Sequence, residues 1–151
     1  MGPRGENILR ALRDGHTVGS NGPILIAGFD RNGNGSIDDP GDVGIGQEIS
    51  SPLKSLPALQ LEWVSSEEFG PVQSIQLIVG TLAGEFPPVE VPVPPAKALA
   101  SGGLVPLELG PILKPGSQDW RYIRLVARTR NSANNEFRCY TNPIWIKATG
   151  E

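Results

Sequence analysis

The stretch WRYIRLVARTR, residues 120–130, sets Ile123, Leu125 and Ala127 on alternate positions against Tyr122, Arg124 and Arg128. Apolar and polar residues that change places at every step describe a strand with one face in a core and the other toward water. Neighbouring segments repeat the pattern. In LQLEWVSS (59–66) Leu59, Leu61 and Trp63 oppose Gln60 and Glu62, and in SIQLIVG (74–80) Ile75, Leu77 and Val79 alternate with Gln76 and Ile78. GPILIAGF (22–29) is a compact apolar run, LVPLELG (104–110) aligns Val105, Leu107 and Leu109, and FRCY and PIWI follow near the end.

About seven such strands separated by turn signals fit an all-β chain, an immunoglobulin-like antiparallel β-sandwich; a barrel of similar strand number fits the same pattern. The Cys-Trp-Cys signature of antibody domains is absent. Of 151 residues, 19 are Gly and 15 are Pro, which leaves little room for long helices. The single helical pattern is ENILRALRDG (6–15), where Ile8, Leu9 and Leu12 share a face and Asp14-Gly15 supplies the stop. The expected organisation is an N-terminal helix and linker over 1–20 and a β-sandwich over 21–151. The segment EFPPVEVPVPPAK (85–97) suits an edge strand or connector, because proline donates no ladder hydrogen bond.

A net charge of −3 and the lack of a basic stripe interleaved with aromatics argue against nucleic acid as a partner. No apolar run approaches the roughly 20 residues that span a bilayer, so a soluble chain without membrane partners is expected. Its compartment stays open, the periplasm or the exterior as part of a longer protein included. One cysteine, Cys139, permits no intrachain disulfide and no cysteine-based zinc cluster.

The densest chemistry lies in FDRNGNGSIDDPGD (29–42). Calcium takes six to eight oxygens, which a short loop supplies when acidic or amide side chains recur at every second residue about a glycine turn. Asp30, Asn32 and Asn34 stand at positions one, three and five, with Gly35 at six; Ser36 offers its carbonyl at seven, Ile37 is the apolar eighth, and Asp38 is ninth. Position twelve is Gly41 instead of the bidentate glutamate of paired-helix calcium loops, so Asp39 or Asp42 is the expected source of the missing carboxylate. The expected metal set is therefore Asp30, Asn32, Asn34, Ser36, Asp38, Asp39 and Asp42, with calcium as a structural ion over 30–42. A solvated acidic turn is the simpler alternative.

Catalysis finds no constellation. His16 is the sole histidine and sits at a helix exit, and no glycine-flanked nucleophile precedes a helix. Cys139 reads as a buried, inert thiol. The arginines of 120–130 are an anion-binding strip or, more simply, a solvated sheet face. Trp63, Trp120 and Trp145 are a sugar-stacking platform or, more simply, core and rim packing. PVPPAK (92–97) matches a proline-rich peptide ligand but reads better as a rigid edge segment.

Three segments carry a family resemblance. ILRALRDGHTVGSNGPIL (8–25) resembles the passage that follows the catalytic barrel in bacterial PHP-type (polymerase and histidinol phosphatase) metallohydrolases; WRYIRLVARTR with FRCYTNPIWI resembles their closing segment. LQLEWVSSEEFGPVQSIQLIVG (59–80) is similar to a strand, turn and strand between them. The resemblance spans roughly Ile8 to Lys147 and implies the C-terminal β-sandwich portion of such an enzyme, an accessory domain whose partner is the catalytic barrel. The family's metal centre lies in that barrel and none of its ligands has a counterpart here, so no catalytic residue is carried over. What carries over is the placement of Asn21-Gly22-Pro23 at the start of the first strand and of Asn142-Pro143-Ile144-Trp145 at the last. The aspartate loop departs from the family. Two competing expectations are a free-standing carbohydrate- or protein-binding module and a small hydrolase in its own right.

Overall fold

A computed structural model describes residues 5–93, 105–109, 112–113 and 120–149. Helix α1 (Gly5–Arg13) is followed by strands β1 (Val18–Ser20), β2 (Ile24–Phe29), β3 (Val43–Gly44), β4 (Glu48–Ser51) and, past a 3-10 turn at Leu53–Ser55, β5 (Leu59–Val64). Then come β6 (Val72–Thr81), β7 (Gly84–Glu85), β8 (Val89–Val91), β9 (Val105–Leu107), β10 (Trp120–Arg130), β11 (Glu136–Thr141) and β12 (Ile144–Ala148). The all-β sandwich expected from alternation is present. It holds more strands than about seven among the described residues, the additional ones being edge strands of two to four residues.

The large sheet is built around β10, which pairs antiparallel with β6 from Tyr122 opposite Gly80 to Thr129 opposite Val72. Its other edge is shared: β11 pairs with Val126–Arg130 and β12 with Trp120–Ile123. β1 lies outside β11, β4 lies outside β12 in parallel, and β7 and β8 edge β6. That parallel β4–β12 pair departs from a purely antiparallel sandwich. The small sheet runs β3-β2-β5-β9.

The inward residues of both sheets meet in one core. Leu25, Ala27, Phe29, Leu59 and Leu61 from the small sheet, and Ile75, Leu77, Ile123, Ala127, Cys139, Ile144 and Ile146 from the large one, are fully buried. Burial on this scale is the main favourable term for a chain with so few helical contacts. Proline takes the positions the ladder tolerates: Pro106 lies in β9, an edge strand. Of 85–97, residues 85 and 89–91 do form edge strands; 94–97 lie outside the described residues, as does the side chain of Val105.

Both motifs that carried the resemblance sit at joints. Asn21-Gly22-Pro23 takes the chain from β1 in the large sheet to β2 in the small one. Asn21 extends the β1–β11 ladder by its own side chain, accepting the Arg138 N–H at 2.7 Å while its N–H donates to the Arg138 carbonyl. Gly22 is required because a Cβ there would stand 2.9 Å from the Phe69 ring, which packs edge-on against Phe137.

Asn142-Pro143 interrupts β11–β12 without changing its inner neighbour. The register slips by one, from Val126 opposite Tyr140 to Ile123 opposite Ile144, so inward residues change from odd (Cys139, Thr141) to even (Ile144, Ile146). This is the two-against-one count of a bulge. What changes is the outer partner, from β1 to β4. The amide of Asn142 donates to the Gly15 carbonyl (2.9 Å) and to Thr17 Oγ1 (3.0 Å), and the Pro143 carbonyl accepts from the Gly46 N–H. At the bulge the Leu125 N–H finds Thr141 Oγ1 at 3.0 Å.

Helix α1 stands apart. It has the expected apolar stripe, but none of its residues is buried; Ile8, Leu9 and Leu12 are 50%, 63% and 59% exposed. No helix among the described residues is long and apolar enough to cross a membrane.

Candidate metal loop and outer sheet face

The loop between β2 and β3 begins at Asp30, the first residue past the core-buried Phe29 and itself buried. Its two carboxylate oxygens accept the N–H groups of Gly33 and Gly35, each at 2.7 Å. Both glycines have positive φ, which turns the backbone donors inward onto one side chain. The following asparagines make successive Asx turns: Asn32 Oδ1 accepts from the Asn34 N–H and Asn34 Oδ1 from the Ser36 N–H. Asp42 closes the loop, accepting from the N–H groups of Arg31 and Asp39.

Among the seven residues, Asn32, Asn34 and Asp39 converge. Both amide nitrogens donate to Asp39 Oδ2, Asn32 at 3.0 Å. These bonds, Asn32 first and then Asn34, hold the Asp39 carboxyl below its ordinary range. Ser36 and Asp38 pair with each other at the exposed rim. Among the described residues no three Asp, Glu, His or Cys side chains stand together as ligands. The donor chemistry, carboxylate, amide, hydroxyl and carbonyl oxygen, suits a hard cation. Asn32 and Asn34 would have to turn their oxygens inward to serve one, releasing the N–H groups of Asn34 and Ser36. His16 is exposed and, with Asp39, Asp42 and Ile37, lines a cleft of about 350 Å³ beside the loop.

The other polar constellation is the outward face of the large sheet. Glu85 on β7 accepts from Arg124 through Nε (2.9 Å) and Nη2 (3.0 Å) and from the Tyr122 hydroxyl (2.9 Å). Arg124, then Tyr122, keep the Glu85 carboxyl below its usual range; burial, reinforced by the Glu85 carboxylate, raises the Tyr122 phenol. Glu136 accepts from Arg138 at 2.7 Å and from Arg130 at 3.4 Å. Trp63 is core, whereas Trp145 is 39% exposed beside Tyr122, with ring centroids 5.3 Å apart, and Trp120 lies under the Lys147 ammonium at 5.4 Å. Periodicity puts Tyr122, Arg124 and Arg128 on one face, but nothing in the sequence joins Glu85 to Arg124, 39 residues away on a two-residue strand.

Cys139 is buried, and burial raises its thiol pKa, as expected of an inert cysteine. Comparison with protein-family models, curated proteins and solved structures found no match.

Proposed function

We propose that this chain is a non-catalytic accessory β-sandwich domain of a PHP-like metal-dependent hydrolase, docked on the catalytic barrel through α1 and clamped by calcium in the loop at 30–42. The observation that carries the docking is the uncovered stripe of Ile8, Leu9 and Leu12. A nine-residue helix is marginal alone in water, and its amphipathic face gains stability only against a partner. The outer face of the small sheet adds a second apolar patch, Ile24, Ile26 and Val64, with Ile24 directly opposite Val64. The PHP assignment itself rests on the motifs at 8–25, 59–80 and 120–146.

The parent gene is expected to encode a barrel rich in His and Asp. Co-expressed, that barrel should retain the chain, and Leu9→Glu with Leu12→Glu should release it without lowering the melting temperature of the sandwich, whose core those side chains do not enter. Retention by the doubly substituted chain, or a parent gene without such a barrel, overturns the reading. For the loop, calcium at a hundred to a thousand times its dissociation constant should add about 3–4 kcal/mol. An unchanged melting curve at millimolar calcium removes the ion from the proposal and leaves the docking intact.

A further inference from the structure

We propose that the outer face of the large sheet binds an acidic oligosaccharide, with Arg128 pairing a sugar carboxylate and Tyr140, Tyr122 and Trp145 carrying the sugar rings. This site is separate from the docking helix and does not depend on the parent enzyme's identity.

The first observation is an imbalance of charge partners. Arg124 is held by Glu85, and Arg130 and Arg138 share Glu136. Arg128 lies between them; it acts on the Glu136 carboxylate from a distance but makes no hydrogen bond or direct ion pair with any described residue, and its Nε is shut off from solvent without an acceptor. Its cross-strand neighbours are Arg138 on β11 and Ser74 on β6. A guanidinium opposite a guanidinium is unfavourable, and a buried donor without an acceptor more so. A carboxylate seated over the terminal nitrogens of Arg128 and Arg138 relieves the first of these, in the forked geometry that guanidinium groups favour.

The second observation is the rings beside these cations. On β10 and β11–β12 the outward rows place Tyr140 opposite Val126, Tyr122 opposite Trp145 and Trp120 opposite Lys147. The Tyr122 ring passes over Gly80, where a Cβ would fall 2.1 Å from its Cζ. Tyr140 and Trp145 are 43% and 39% exposed. From Trp120 to Arg128 the platform runs roughly 26 Å at ~3.3 Å per residue, the length of a short linear oligomer.

A sugar suits this face better than a nucleic acid. Glu48 opposite Trp145, Glu90 opposite Gln76, and Ser74 are acceptors for the hydroxyl donors that sugars carry in number. A DNA backbone carries no free hydroxyl donors to match these acceptors.

Isothermal titration of the full chain with tetragalacturonate tests this, with cellotetraose, poly-glutamate and a single-stranded oligonucleotide as comparison ligands. Binding should favour tetragalacturonate, weaken as salt rises, and fall by about tenfold or more in Arg128→Ala. Trp145→Ala should weaken it through the rings alone, and Arg128→Lys should recover part of the loss. Thermal melting checks that each variant is folded; should Arg128→Ala fail, Tyr140→Ala and Arg128→Lys carry the test. Absence of tetragalacturonate binding, an unchanged affinity in the variants, or equal affinity for poly-glutamate or the oligonucleotide overturns the proposal.

Discussion

Thr141→Val is the sharpest probe of how the large sheet is held together at its break. In the native chain Thr141 Oγ1 receives the Leu125 N–H at 3.0 Å in a buried setting, where the slip of register deprives that amide of a ladder carbonyl. Valine keeps the shape and removes the acceptor, so a buried donor is left without a partner. That costs about 1–3 kcal/mol, and for a domain of this size each kcal/mol lowers Tm by roughly 2–4 °C. A fall of about 4–8 °C is therefore expected for a central value of 2 kcal/mol. Urea denaturation with an unchanged m-value should give the same free energy, and the Leu125 amide should exchange faster in the variant. Thr141→Ser keeps the oxygen and loses only a methyl group, so it should be the milder change. If Thr141→Ser is the more damaging of the two, packing rather than the hydroxyl holds the bulge.

Gly70→Ala should cost more than any single packing change on the surface. At φ +79° its Cβ would stand 2.0 Å from the Arg130 carbonyl oxygen, so poor soluble yield or a melting point lowered by well over 10 °C is expected, and near-native melting refutes it. Acid should weaken the fold in a particular window. Because Glu85 has its pKa lowered by Arg124 and Tyr122, its stabilisation is complete above the unfolded value of 4.5 and is lost as pH falls through the lower folded value. Glu85→Gln should therefore lower stability at pH 7 and flatten the decline below about pH 5; a parallel curve counts against it. Cys139 should resist maleimide in the native state and react once urea unfolds the chain, whereas rapid native labelling would contradict its burial.

The long strands were legible because their solvent-facing residues break an otherwise apolar run. Leu59 to Trp63 and Ile123 to Ala127 announce their inward faces by position alone. The short edge strands were not. β3, β4 and β7 are two to four residues long, and what makes each a strand is a neighbour far away in sequence. Asn142-Pro143 could be read as a break but not as a bulge, since its consequence depends on β1 and β4 both lying outside the same strand pair. For the aspartate loop, spacing identified Asp30, Asn32 and Asn34 as a group. It could not reveal that Asp30 is occupied by Gly33 and Gly35, or that Asp39 is the carboxylate on which the asparagine amides close.

The joint at Asn142 also sets the order in which the molecule can assemble. Its amide reaches the Gly15 carbonyl across 127 positions, and Val18 pairs with Thr141 over a similar span, whereas β2 and β5 meet over a much shorter one. During synthesis the small sheet can pair while β10 to β12 are still inside the ribosome, leaving Leu25, Phe29, Leu61 and Trp63 without the central strands of the facing sheet to cover them. Such long-range closure makes folding slow, and the interval of exposure falls within translation itself. Until β12 has emerged and Asn142 can secure the joint, a nascent chain of this kind is exposed to aggregation.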